Sequence, residues 1–169
     1  DFGLGLFEGE ILEKLENSKI KKYLNVQSNS INFGYNLFTK YKNFDYLSLD
    51  EREWKLGFGT TEEVDLSGYI KKLKKNKFFS CALTKGKRGS EYYVNTSKFS
   101  SPVFIKNTTD TTGCGDAFFA ITSLMIKSRL NPSLIPFVGN VYAGMHSQYF
   151  GNEIITSKIK FLKYIKSIL

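Results

Sequence analysis

Histidine and cysteine are scarce in this chain, and no long apolar run occurs in it. His146 is the only histidine, so a histidine-rich metal site or a Ser-His-Asp triad has little to draw on. The two cysteines, Cys81 and Cys114, lie far apart and form no Cys-x-x-Cys pair. That spacing argues against a disulfide framework or a zinc site and fits a reducing cytoplasm. No signal-peptide pattern and no membrane-spanning run is present. The expectation is a cytoplasmic protein without a membrane partner. Internal repeats and low-complexity linkers are also missing.

What is present suffices for one domain. A chain of 169 residues, 41% of them hydrophobic, can bury a core and should be globular. Its net charge of +8 comes in good part from Lys71, Lys72, Lys74, Lys75 and Lys77. This run reads as a solvated helix face followed by a loop. A nucleic-acid interface would need a basic patch with stacking aromatics or a known fold. Phe78, Phe79, Tyr92 and Tyr93 instead lie in strand-like runs and read as core and pleat residues, so no nucleic-acid partner is expected. Some of the positive charge suits an anionic nucleotide or sugar phosphate.

Strand and helix patterns alternate. Residues 8–17 suit a short helix with Ile11, Leu12 and Leu15 on one side, and 23–26 a strand. A helix over 32–41, a strand over 45–49, a helix over 62–75 and a buried strand over 78–84 follow. Residues 91–94 resume as a strand. Asn131-Pro132 reads as a cap with proline at the first helical position, opening a helix to about Phe150 that Gly151 terminates. Residues 157–168 place Ile159, Leu162, Ile165 and Ile168 on one face of an amphipathic helix. The alternation predicts an α/β fold, three layers deep, with a largely parallel sheet. Asn25, Gln27 and Asn29 fall at the carboxyl end of the first strand. In open α/β sheets that end binds ligands, although amides there also simply cap turns.

The stretch with most chemistry in it is Asp110-Thr111-Thr112-Gly113-Cys114-Gly115-Asp116, running into a helix. Gly113 and Gly115 allow a tight turn. Ala117, Ile121, Leu124, Met125 and Ser128 recur at helical spacing and predict the buried face behind it. The first N–H groups of such a helix and its dipole suit an anion such as phosphate. Asp116 reads either as a dipole-favoured acid or as a general base beside a phosphate cradle, and its position alone favours the former. Asp50-Glu51-Arg52-Glu53 follows a strand. It reads as a capping pair or as an oxygen-rich corner for Mg²⁺, which keeps several waters. Thr84-Lys85-Gly86-Lys87-Arg88-Gly89-Ser90 is a glycine hairpin and lacks the Walker pattern. Gly3, Gly5 and Gly9 miss the dinucleotide fingerprint by one place.

Asp-Thr-Thr-Gly-Cys-Gly-Asp-Ala-Phe closely resembles the signature of ribokinase-like sugar kinases, the PfkB family, whose usual form is Asp-Thr-x-Gly-Ala-Gly-Asp-x-Phe. The resemblance implies a Rossmann-like, three-layer ribokinase fold and ATP-dependent phosphoryl transfer to a sugar or sugar-phosphate hydroxyl. It makes Asp116 the base and the amides of Gly113, Cys114 and Gly115 the anion hole. Cys114 stands for the usual Ala and acts through its backbone, not as a nucleophile. Asp50 and Glu53 fall on the family's Asn-x-x-Glu motif, which organises magnesium and phosphate, with Asp50 in place of Asn. Thr84 and Gly86 match its Thr-x-Gly-x-x-Gly hairpin beside the nucleotide phosphates. Asn140 falls on the helix lining the adenine pocket. Asp110 and Thr112, with backbone near His146 and Gly151, match a monovalent-cation site (K⁺) of some members, with His146 where a small residue is usual. Asp1-Phe2-Gly3-Leu4-Gly5 resembles a segment of heptose-phosphate kinases and bifunctional kinase–nucleotidyltransferases, with Leu4 where Lys or His is common.

The match spans nearly the whole chain but only the later half of the family's domain. It therefore implies the C-terminal, nucleotide-binding part, with 1–169 as a single unit. The sugar-binding and lid part would be missing, and the uncovered sheet edge would favour self-association. The alternative is a non-catalytic nucleotide-binding or interaction module of the same fold.

Overall fold

The computed structural model describes residues 1–28, 33–75, 77–151, 153 and 155–169. The elements run α1 Gly9–Asn17, β1 Tyr23–Asn25, β2 Tyr46–Asp50, α2 Glu51–Phe58, α3 Ile70–Lys75, β3 Ser80–Thr84, β4 Ser90–Val94, β5 Ser97–Ser101, α4 Cys114–Lys127, α5 Leu134–His146 and α6 Lys158–Ile168. Short 3₁₀ turns occur at Phe38–Lys40, Leu66–Gly68 and Gly86–Arg88. The five strands hydrogen-bond in the order β1-β2-β3-β4-β5. β1 with β2 and β2 with β3 are parallel. The two-residue connection between β4 and β5 makes that pair a hairpin. The α/β class and the largely parallel sheet are as the alternation predicts.

The chain divides into two compact units, Asp1–Lys85 with Tyr92–Lys98, and Gly86–Glu91 with Phe99–Leu169. The first has a core of Leu24, Val26, Leu47, Leu49, Leu83 and Tyr93 around fully buried Trp54. Trp54 Nε1 donates to the Ala82 carbonyl at 3.1 Å, so its one polar group is satisfied inside. Lys22 is buried too. Its ammonium donates to the carbonyls of Leu15, Glu16 and Ser18 at 2.8 to 3.0 Å, closing the carboxyl end of α1. The second unit packs Ile105, Val141 and Met145 with Phe104, Phe137, Phe161 and Ile165. α6 runs where 157–168 predicted it, and Ser157 accepts from the Lys160 N–H as its cap.

Several elements are shorter than their patterns. Of the helix expected over 32–41, residue 32 lies outside the described residues, and 33–41 hold a 3₁₀ turn at Phe38–Lys40, with Gly34 left-handed at φ 82° and Leu37 extended. The helix expected over 62–75 becomes a 3₁₀ turn and then α3. Asp65 captures the Ser67 N–H at 3.1 Å, and a side chain that bonds locally competes with the helix. The lysine run is solvated as read: Lys71, Lys72, Lys74, Lys75 and Lys77 are exposed while Leu73 is buried. β3 begins only at Ser80, and Phe79 is 61% exposed, whereas Phe78, Tyr92 and Tyr93 are core residues. α4 buries a face rotated from the one predicted: Met125 is buried as expected and Ala117 and Ile121 are half-buried, but Phe118 and Thr122 are buried while Leu124 is 63% exposed. The reason is α5, where Gly139 lets the Phe118 ring lie against its backbone and a Cβ would collide with that ring.

Candidate active site

In the second unit, the Asp110–Asp116 stretch turns into α4 at Gly113, whose φ of 75° and ψ of 0° lie in the left-handed region. L-residues with a side chain rarely adopt that conformation. Cys114, Gly115 and Asp116 form the first turn of α4, whose N–H groups have no carbonyl four residues back. The Cys114 N–H donates to Thr111 O at 3.2 Å, which tightens the turn. Gly115 and Asp116 are exposed, and Gly113 is half-buried. The Cys114 thiol lies 3.6 Å from the Ala143 carbonyl, and burial, then the charge of Asp110, pushes its pKa up. It is a neutral packing group.

Asp110 braces the loop. Oδ1 accepts the Thr112 N–H at 2.8 Å and Oδ2 accepts the Gly151 N–H at 3.0 Å. The Thr112 amide first, then the Gly151 amide, hold its carboxyl below the usual range, and His146 adds to this. Ser147 accepts the N–H groups of Thr109 at 2.7 Å and Asp110 at 3.1 Å. These bonds explain why α5 stops at His146 instead of running to Phe150: the next carbonyl is turned toward the loop. α5 also starts later than Asn131-Pro132. Asn131 instead makes a turn, its Oδ1 accepting from the Ser133 N–H at 3.0 Å.

Asn140 is buried, and its Nδ2 donates to the carbonyls of Ser101 at 2.8 Å and Pro102 at 3.0 Å. Its amide N–H groups thus hold the strand exit after β5. Gly86, at φ 54°, opens the 3₁₀ turn and accepts the Gly89 N–H at 3.0 Å.

In the first unit, Asp50 ends β2 beside Thr84, its register partner at the end of β3. The parallel pairing therefore brings these two together at the carboxyl edge of the sheet, where the open α/β rule puts ligands. Asp50 and Glu53 form a complete capping box: Asp50 Oδ1 accepts the Glu53 N–H at 2.7 Å and Glu53 Oε2 accepts the Asp50 N–H at 2.9 Å. Glu53 Oε1 also accepts the Ser28 N–H at 3.1 Å, tying the segment after β1 to α2. Asn25 Nδ2 donates to Ser48 O at 3.2 Å, which favours its reading as a structural amide. Gln27 donates its N–H to Asp1 O at 3.0 Å, so Asp1 lies alongside the segment just after β1. Leu4 is exposed on the following loop, and Asn29 lies outside the described residues.

Sequence reasoning missed four contacts: Glu53 to Ser28, the Ser147 carbonyl to Thr109 and to Asp110, and His146 Nε2 to the Thr112 carbonyl at 3.1 Å. Only the lone histidine, in a place where a small residue is usual, carried any signal in the sequence.

The oxygens of this chain fit the implied ions through lone pairs left over from their own hydrogen bonds. Each carboxylate oxygen of Asp50 and Glu53 has two lone pairs, enough to accept a backbone N–H and a metal-bound water. Among the described residues no group of three or more His, Cys, Asp or Glu is placed to hold a metal directly. At Asp110 and Thr112, both carboxylate oxygens and the Thr112 carbonyl already face hydrogens from Thr112, Gly151 and His146. Each of those oxygens keeps a second lone pair, which a monovalent cation can share. No helix among the described residues is long and apolar enough to cross a membrane.

No family model matches the sequence, and a search of curated proteins finds no match either. Solved structures do match. The chain superposes on 2-dehydro-3-deoxygluconokinase from Thermotoga maritima with a TM-score of 0.75 at 14% identity, over 92% of this chain and 55% of that one. Arabidopsis thaliana ribokinase, complexed with ribose and ATP, gives 0.73 at 18% identity, over 92% and 51%. A putative ribokinase II from E. coli, complexed with ATP and Mg²⁺, gives 0.63 at 16% identity, over 73% and 40%. The chain spans about half the length of the solved structures it matches. Its fold is the ribokinase-like α/β fold.

Proposed function

We propose that this chain supplies the ATP-side chemistry of a kinase acting on a hydroxyl of a sugar or sugar phosphate. One observation carries the reading. In a ribokinase-like fold, the Asp110–Asp116 stretch forms a left-handed glycine turn at the start of a 14-residue helix, with an exposed carboxylate in the first turn. Such a helix start gathers N–H groups toward an anion, and an exposed carboxylate beside it can take a hydroxyl proton.

Asp116 is the proposed base, removing the proton as the hydroxyl oxygen attacks the γ-phosphorus and the bond from that phosphorus to the β–γ bridging oxygen breaks, with ADP as the leaving group. The amides of Gly113, Cys114 and Gly115 are the proposed donors to the moving phosphoryl group. Thr84 and Gly86 are assigned to the nucleotide phosphates. Asn140 is assigned to the adenine side, through the Ser101–Pro102 backbone that it holds. Asp50 and Glu53 are proposed to hold Mg²⁺ through its waters, and that ion, when bound, would neutralise phosphate charge. The net charge of +8 favours anionic substrates. Membership of the PfkB family, residence in the cytoplasm and likeness to the heptose-phosphate subset belong to this proposal too.

The single chain is further proposed to be the nucleotide-binding part of a longer kinase. By itself it would bind ATP weakly, phosphorylate no sugar and self-associate, because phosphoryl transfer needs donor and acceptor held in line. The test is a panel of sugars and sugar phosphates with ATP, run on a longer protein carrying this chain and on the chain alone. ADP release that depends on one acceptor, in the longer protein, supports the reading. ATP binding without turnover on any acceptor would favour the non-catalytic module.

A further inference from the structure

Thr112 is gripped at both ends. Its N–H donates to Asp110 Oδ1 at 2.8 Å, and its carbonyl oxygen lies 3.1 Å from His146 Nε2. A carbonyl only accepts, so this contact places the hydrogen on Nε2. The carbonyl belongs to the peptide unit that ends in the Gly113 nitrogen. In a trans peptide the C=O and N–H point in opposite directions. Fixing the Thr112 carbonyl toward the imidazole therefore aims the Gly113 N–H away from it. The ring also packs against the turn, since a Cβ on Gly113 would stand 3.0 Å from the same Nε2. The imidazole itself sits on the last residue of α5, and the next residue, Ser147, receives the Thr109 and Asp110 amides. Its support is thus tied to the loop it braces.

We infer that His146 is a positioning residue: by donating from Nε2 to the Thr112 carbonyl, it holds the Gly113 peptide plane in the orientation the anion loop needs. The inference rests on the kinase reading for its consequence, though the brace itself is a property of the loop. It acts through backbone and touches neither the sugar nor the reacting atoms. Losing the bond loosens the loop without altering acceptor binding. Glutamine can restore the bond, because its Nε2 lies about as far along the side chain as that of histidine.

The experiment compares parental protein, His146→Ala and His146→Gln in the longer protein that carries this chain. Two readouts are used: amide hydrogen exchange at the loop's bonded amides, those of Thr112, Cys114 and Ala117, and steady-state kinetics. In the alanine variant, exchange at the loop should rise roughly three- to tenfold, the worth of one hydrogen bond. Amides over Phe118–Met125 should stay protected. Turnover should fall by a similar factor with the acceptor KM unchanged, and glutamine should recover most of both. Equal loop exchange in parental and alanine proteins overturns the inference. So does a glutamine variant as loose as the alanine one, or a KM that rises while kcat holds. A parental protein that phosphorylates nothing sinks the kinase reading, while the exchange readout still decides the brace.

Discussion

Asp110 and Gly151, 41 positions apart, are joined by a 3.0 Å hydrogen bond from the glycine N–H to the carboxylate Oδ2. The other oxygen takes the Thr112 N–H. One carboxylate therefore links the anion loop to the turn after α5.

Asp110→Asn should destabilise this connection, because asparagine has one acceptor oxygen and turns an NH₂ toward the second amide. The pH dependence follows from the sign of the shift. Asp110 is held below the usual carboxylate range by the Thr112 and Gly151 amides. Its contribution is then full above the unfolded value of about 3.9 and is lost as pH falls through the lower folded one. The stability gap between parental and variant proteins, from urea unfolding, should be constant near neutrality and close on acidification below about pH 4. An undiminished gap at the acid end would contradict this account.

Asp116→Asn should leave ATP binding nearly intact and remove most turnover. Asparagine keeps the size but cannot accept the hydroxyl proton. Loss of a general base costs on the order of 10²–10⁴ in rate. Turnover at the parental rate, in a protein that phosphorylates a sugar, would remove Asp116 from the role.

Glu53→Gln keeps a capping side chain, yet its single oxygen can serve only one of the Ser28 and Asp50 amides. A stability loss of about 0.5–1.5 kcal/mol is expected, the worth of one hydrogen bond. The magnesium needed for half-maximal turnover should rise more than the sugar requirement. Superimposable magnesium titrations for the two proteins would confine Glu53 to its structural bonds.

The face of α4 makes a separate test. Phe118 is 2% exposed and lies against Gly139, so Phe118→Ala should cost about 3–5 kcal/mol. Leu124 is 63% exposed, so Leu124→Ser should cost no more than about 0.5 kcal/mol. Thermal or urea unfolding of both variants measures the contrast. Similar losses would mean that α4 packs on the face its spacing predicts.

Much of this molecule could be read in the chain itself. Strands and helices alternate visibly, which dictates an α/β fold with a largely parallel sheet. The Gly113 turn was legible because only glycine readily takes a left-handed φ at a helix start. Asp50 and Glu53 were legible as a capping pair because the box is local, three residues apart. Tertiary packing decided the rest. Leu124 and Phe118 are both apolar and both fit a helical stripe, and the glycine at 139 on a neighbouring helix selects Phe118. The end of α5 depended on Thr109 and Asp110 claiming the Ser147 carbonyl from a distant part of the chain. The bond from His146 to Thr112 spans 34 residues, and the one from Glu53 to Ser28 spans 25. Local spacing encodes turns, caps and periodicity, because those are set within a few residues. Which backbone group a distant side chain reaches depends on how the elements dock, and only the folded chain determines that.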